Sequence, residues 1–201
     1  MTEWSESLEK LFKKQAEHFL CLRYAHDSAQ RFCSQANTYL TIPVIILSGL
    51  AGLGSVGSES LLPFQNSSIL VGFISFTAGT LQTISSYFAF AKRAEGHRVA
   101  ALSFEKLHRH LEFQLKVDRP HRVPPDELIK VLKEETDRLN EVSPQIPSHT
   151  IQEFKKRFPT VSVAVPTVLN GLEPVELLAP PRPSSPAPSP SEPRVQIRVE
   201  V

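Results

Sequence analysis

The sequence predicts an all-α membrane protein: a two-span transmembrane helical hairpin with cytosolic helical extensions and an extended Pro-rich C-terminal tail. Three observations carry that prediction. Charge is segregated, because between Arg31 and Lys92 lie 60 residues with one formally charged side chain, Glu59, while both flanks are densely charged. Inside that stretch two apolar runs, YLTIPVIILSGLAGLGSVG (Tyr39 to Gly57) and ILVGFISFTAGTLQTISSYFAFA (Ile69 to Ala91), match the roughly 20 residues needed to cross a bilayer. Finally, the connecting SESLLPFQNSS has no Lys or Arg, whereas Lys10, Lys13, Lys14, Arg23 and Arg31 precede the first run and Lys92, Arg93, Arg98, Lys106 and Arg109 follow the second. The positive-inside rule then puts both termini in the cytosol and the short loop outside.

The whole-chain averages, net charge +1 and mean hydropathy −0.14, resemble those of a soluble protein only because they pool unlike segments. The competing account of either run is a buried core helix. Two such runs in tandem in 201 residues would leave too little polar chain to cover them. A near-neutral chain gives no reason to expect nucleic acid as a partner, since binding it usually needs a strong basic excess. The two cysteines, Cys21 and Cys33, form no disulfide framework or CxxC pair. No signal peptide is expected, because the first apolar run starts too late and no small-residue cleavage site closes it.

In chain order, residues 1–38 form an N-terminal cytosolic amphipathic helix with Leu8, Phe12, Ala16 and Phe19 on one side, running into the first span. Residues 39–91 form the hairpin, with spans at about 39–57 and 69–91. Thr41, Ser48, Gly52 and Ser55 in the first span, at spacings of seven, four and three, and Gly72, Ser75, Gly79, Thr83 and Ser86 in the second, at spacings of three and four, each keep to one helical face. These stripes are candidate helix-packing faces, where small residues admit a close backbone and hydroxyls can bond across the interface. They zip the hairpin to itself or join copies of it. Gln82, the one strongly polar side chain deep in a span, either packs or lines a pore.

Residues 92–158 form a cytosolic helical region. The second span is expected to continue as helix to about Val117 with a stripe of Ala101, Phe104, His108, Leu111 and Leu115. Pro120, Pro124 and Pro125 end it, and a helix over Asp126 to Val142 buries Leu128, Leu132, Leu139 and Val142. Thr150 and Glu153 form a capping-box pattern before a short helix with Ile151, Phe154 and Phe158 on one side. Its basic residues Lys155, Lys156 and Arg157 could contact lipid headgroups or face solvent beside a folded-back helix.

Residues 159–201 hold ten of the 17 prolines. Pro180 to Pro193 reads as an extended linker. In the closing RVQIRVEV, Val195, Ile197, Val199 and Val201 alternate with polar residues, which is the period of a strand. A lone strand is not stable, so it needs the sheet edge of a β-rich partner. VSVAV, Val161 to Val165, is a weaker strand candidate.

No catalytic, cofactor-binding or metal-binding residues are expected. His108 and His110 lie on different helix faces, and His18 and His26 have no further ligand in register. GLGSVG, Gly52 to Gly57, matches a dinucleotide string but closes an apolar run instead of following a strand.

The segments IPVIILSGLAGLGSVG, TLQTISSYFAFAKRAEGHRVAALSFEKLHRHLE and LIKVLKEETDRLNEVSPQIPSHTIQEFKKRF resemble the SLATT family of two-transmembrane proteins, with bacterial effector and large-DNA-virus or algal relatives. The resemblance spans roughly Trp4 to Phe158 and combines Pro43, Gly96-His97-Arg98 and Ser143-Pro144. It implies a membrane role, either as a pore-forming or membrane-perturbing effector or, as in viral members, as a virion component. The expected function is a non-enzymatic membrane anchor that tethers a bilayer to an adjacent protein layer, such as a virion's inner membrane to its capsid. The alternative is an oligomeric pore.

Overall fold

The computed structural model describes residues 3–57, 67–160, 162–172 and 174, and among these there are helices and no strand. Helix α1 (Glu6–Gly57) runs 52 residues without interruption, through Pro43, and so joins the charged N-terminal stretch to the first apolar run. Helices α2 (Ser67–Phe88) and α3 (Phe90–Lys116) follow, then a 3₁₀ turn (Arg119–His121), α4 (Pro125–Val142), α5 (Ser148–Arg157) and the short α6 (Thr167–Asn170).

The second apolar run does not continue unbroken to Val117 as the sequence predicts. Ala89 sits in the left-handed region (φ 48°, ψ 44°) and separates α2 from α3, although Ala89 N–H still donates to Ser85 O and Arg93 N–H to Ala89 O. A side chain in that region costs about 1–2 kcal/mol, which the surrounding packing must offset.

Helix α1 packs antiparallel against both successors. Phe19 stacks on Phe104, His26 lies against His97, and Gly54 meets Val71. At the N-terminal half of α1 this produces a packed bundle. Phe12, Ala16 and Phe19 join Ala100, Phe104, Leu107 and Leu111 of α3 and Leu128, Leu132 and Leu139 of α4 in one buried core. Most of the predicted stripe residues therefore form the core, with Leu8 and Leu115 partly buried at its edge and Ala101 buried outside this cluster. His108 is only half-buried and its Nδ1–H donates to Ala16 O (2.9 Å), and Val142, expected inside, is 70 % exposed because α4 ends beside the α4–α5 corner.

The far end of the bundle is clasped by polar contacts. Trp4 Nε1–H donates to Val123 O (3.1 Å), Arg122 lies over the Trp4 ring, and Glu9 accepts from Arg119 (2.9 Å) and Arg122. The guanidiniums of Arg119 and Arg122 hold the Glu9 carboxyl down to a pKa of about 2.

Helix α5 runs back along α1, with His149 against Phe32, Ser28 Oγ–H donating to Glu153 (2.9 Å), and Tyr24 packed on Phe154 and Phe158. The expected capping box is absent. Pro147 occupies the N-cap position, Thr150 lies buried inside the helix, and Glu153 serves Ser28 instead. Pro147 fixes the entry dihedral without a side-chain cap. The packed region also extends beyond 158: Leu169 is 1 % exposed, and Ala164 N–H donates to Glu17 (2.7 Å). Residues 162–165 are thus packed coil, with Val163 and Val165 covering α1, and not a strand. Residues 194–201 lie outside the described residues.

Candidate functional site: an exposed apolar shaft on a packed bundle

Beyond the bundle, α1 and α2 continue as a two-helix shaft. The seam between them is built from Thr41, Val44, Leu47, Ala51 and Gly54 on α1 and from Val71, Ile74, Ala78, Leu81 and Ser85 on α2, at steps of three and four. At Gly54 an added Cβ would stand 2.7 Å from Val71 Cγ2, so the glycine is what lets the backbones approach there.

The outer surface of the shaft is apolar and open. Tyr39, Ile45, Leu53, Ile69, Phe73 and Phe76 are each at least 64 % exposed. Contiguous apolar surface on this scale marks an interaction or membrane face, since soluble monomers rarely expose it. Both α1 and the α2–α3 run contain a window long and apolar enough to cross a membrane, and these windows are 0 % and 6 % buried respectively. A soluble core helix would be mostly covered.

At the bundle end the shaft carries a band of aromatic side chains, Tyr39, Tyr87, Phe88 and Phe90, with Phe88 packed between Tyr87 (5.3 Å between ring centroids) and Phe90 (5.4 Å). Lys92 and Arg93 follow within a turn, with Arg31 preceding on α1. Aromatic rings backed by basic residues are the composition of a membrane–water boundary.

Except for Thr41, which is in the seam, the predicted packing stripe lies beside the seam. Ser48, Gly52 and Ser55 each follow a seam residue by one position, as do Gly72, Ser75 and Gly79, which is about 100° of helix. All six and Thr83 are exposed, and a Cβ at Gly52, Gly72 or Gly79 would meet nothing within 4 Å. Thr83 does not bond across the interface, because its hydroxyl donates to Gly79 O of its own helix (2.9 Å), and Thr77 and Thr80 do likewise. Because the two helices are antiparallel, equal rotation brings both stripes to the same side. There Ser48, Ser75, Gly79 and Gln82 line a groove of about 450 Å³ with Val44, Ala51 and Ala78.

The basic trio lies along the bundle. Arg157 lies over the Tyr24 ring, 15 positions before Tyr39 on a continuous α1, or about 22 Å along the axis. Lys155, Lys156 and Arg157 are exposed on the flank of the bundle, on a helix that folds back along α1. Val195, Ile197, Val199 and Val201 lie outside the described residues.

The sequence reading missed a buried pair of histidines. His26 and His97 are 3 % and 2 % exposed, with Nδ1 to Nδ1 at 3.0 Å, and His26 stacks on Phe104. Burial pushes the pKa of His26 down from 6.5 to about 4, helped by His97, and burial with the Arg93 charge lowers that of His97. The signal was available, because the register that sets Phe19 opposite Phe104 also sets 26 opposite 97. Spacing along either helix by itself does not show it, because the pair forms between two helices. Among the described residues, no group of three or more His, Cys, Asp or Glu could hold a metal ion.

Two other motif pieces meet nearby, where a Cβ at Gly96 would stand 2.8 Å from Pro144 Cγ. Comparison with protein families, curated proteins and solved structures finds no match to this chain.

Proposed function

We propose that this chain is a non-enzymatic integral membrane anchor. The α1–α2 shaft crosses a bilayer as a hairpin, and the bundle formed by the first half of α1 with α3, α4 and α5 stands on the cytosolic face, presenting a surface and a Pro-rich tail to a neighbouring protein layer. The observation that carries this reading is the pairing of an apolar shaft whose outer surface is uncovered with an aromatic and basic collar at the bundle end. An uncovered shaft of this size would aggregate in water, whereas lipid covers it at no cost. The threonine hydroxyls satisfied within α2 suit the same environment.

The test is cysteine accessibility in native membranes. Cys21 and Cys33 are buried, so background labelling should be low. A cysteine at Ser60 should react with an impermeant thiol reagent from the exterior or lumenal side, and cysteines at Ser5 or Ser148 only from the cytosolic side. Labelling of Ser60 and Ser148 from one side sinks the hairpin. For the tether, deleting residues 180–201 should abolish co-purification of the protein layer and leave insertion intact.

A second reading, an oligomeric pore, is favoured by one observation: the small and polar residues of both helices share an outward face around Gln82. An amide in lipid needs a partner, and a second copy supplies one. Conductance by liposome-reconstituted protein lacking residues 180–201 would support the pore over the anchor.

A further inference from the structure

We infer that the His26–His97 pair is a proton-operated latch between α1 and α3, closed while both imidazoles are neutral and sprung when they are protonated. The argument starts from what two rings can do at this distance. With Nδ1 to Nδ1 at 3.0 Å, one ring donates and the other accepts, which requires that only one of the two nitrogens carry a hydrogen. An imidazolium carries hydrogen on both ring nitrogens. Protonation of both rings therefore turns the hydrogen bond into two opposed N–H groups and two like charges in contact.

The surroundings give the charges no relief. The rings are wedged in a seam of small residues, with Ala25 and Ala29 at 0 % exposure on α1 and Ala94 and Ala100 almost as covered on α3. Phe104 closes one side by stacking on His26.

The charged groups of each packed element are already engaged or have the wrong sign. On α1, Asp27 pairs with Arg31, and Arg23 pairs with Glu105 of α3. On α3, Glu95 is held by Arg98, and Arg93 bears on His97 as a like charge. On α5, Glu153 accepts from Ser28. The α4–α5 corner at Ser143–Pro147, which abuts Gly96, contains no titratable side chain. Among the described residues no carboxylate bears on either ring.

The sign follows. Both folded pKa values lie below the ordinary 6.5, so the open state takes up protons first as pH falls. The latch is at full strength above about pH 6.5 and weakens progressively toward about pH 4. It lies within the bundle, seven residues past Phe90 on α3, so opening it separates α1 from α3 there. The latch does not depend on which function the shaft serves.

Cys33 is the built-in reporter. It is 3 % exposed, two helical turns from His26 on α1, and within the influence of Arg93. In full-length Cys21→Ala protein in detergent micelles, the rate of Cys33 reaction with 4,4′-dithiodipyridine is divided by that of an unstructured peptide thiol at the same pH. The ratio measures opening. If the open-state rings titrate near 6.5 and the closed pair stays neutral, the ratio should rise ~100-fold from pH 7.5 to 5.5 for the pair. For His26→Asn or His97→Asn it should rise ~10-fold, and for the double variant it should stay constant within about twofold. Imidazole nitrogen resonances of the unsubstituted chain provide a second readout that needs no variant. A wild-type ratio that does not rise, or a rise of equal size in the double variant, overturns the latch. So does a ring that protonates above pH 6 while Cys33 stays buried.

Discussion

Replacing Gly96 by Ala should destabilise this protein in one background and stabilise it in another. In a helix interior, alanine is worth about 1 kcal/mol over glycine, because glycine loses more backbone freedom on folding. Here the new Cβ would stand 2.8 Å from Pro144 Cγ and 3.6 Å from Cδ. A proline ring has no rotamer with which to retreat, so the α4–α5 corner must move. Overpacking of that kind costs about 1–3 kcal/mol. The two effects oppose, and the net for Gly96→Ala is a loss of ~0–2 kcal/mol. Pro144→Ala removes both contacting atoms, so in that background Gly96→Ala should recover its ~1 kcal/mol gain. The coupling between the two substitutions should then be ~1–3 kcal/mol. Urea unfolding of the full-length chain in micelles, followed by the single tryptophan, reads it. Trp4 is bonded to Val123 at the far end of the bundle and reports the unfolding of the whole assembly. A gain of about 1 kcal/mol for Gly96→Ala in both backgrounds would refute the contact between α3 and the corner.

Two further outcomes are expected. Gly54→Leu should separate α1 from α2, since even a Cβ there meets Val71 at 2.7 Å, whereas Gly79→Leu should leave the pair intact and disturb only contacts between copies. Crosslinking between cysteines at Val44 and Leu81 reads the first effect, and crosslinking between chains reads the second; equal behaviour of the two variants would refute the seam. Ala89→Gly should raise the unfolding midpoint through relief of the left-handed alanine, by ~0.5–1 kcal/mol after glycine's greater chain entropy is subtracted. A lower midpoint would mean that the α2–α3 break is not held in that conformation.

The helical class, the 52-residue α1, the core stripes on α1, α3 and α4, and the apolar shaft were legible in the sequence. Each follows from local quantities: the period of apolar residues, the length of an uncharged run, and the placement of proline. Phe12, Phe19, Phe104 and Leu111 had to face inward whatever they faced, because a 3.6-residue period fixes which residues share a side. Rotation about a helix axis is different. Ser48, Gly52 and Ser55 make as good a stripe as Leu47, Ala51 and Gly54, and one residue of offset separates a packed face from an open one.

Composition cannot choose between such stripes, because the choice depends on the facing helix and on where the bundle has already set the angle of α1. Sequence alone therefore determined that the chain has an exposed apolar shaft joined to a helical bundle. Only the tertiary structure decided the seam, the distance of Lys155, Lys156 and Arg157 from the aromatic band, the break at Ala89, and the meeting of His26 with His97. Each of these is a relation between residues far apart in the chain, set by antiparallel register and helix rotation, and neither quantity is encoded in any one segment.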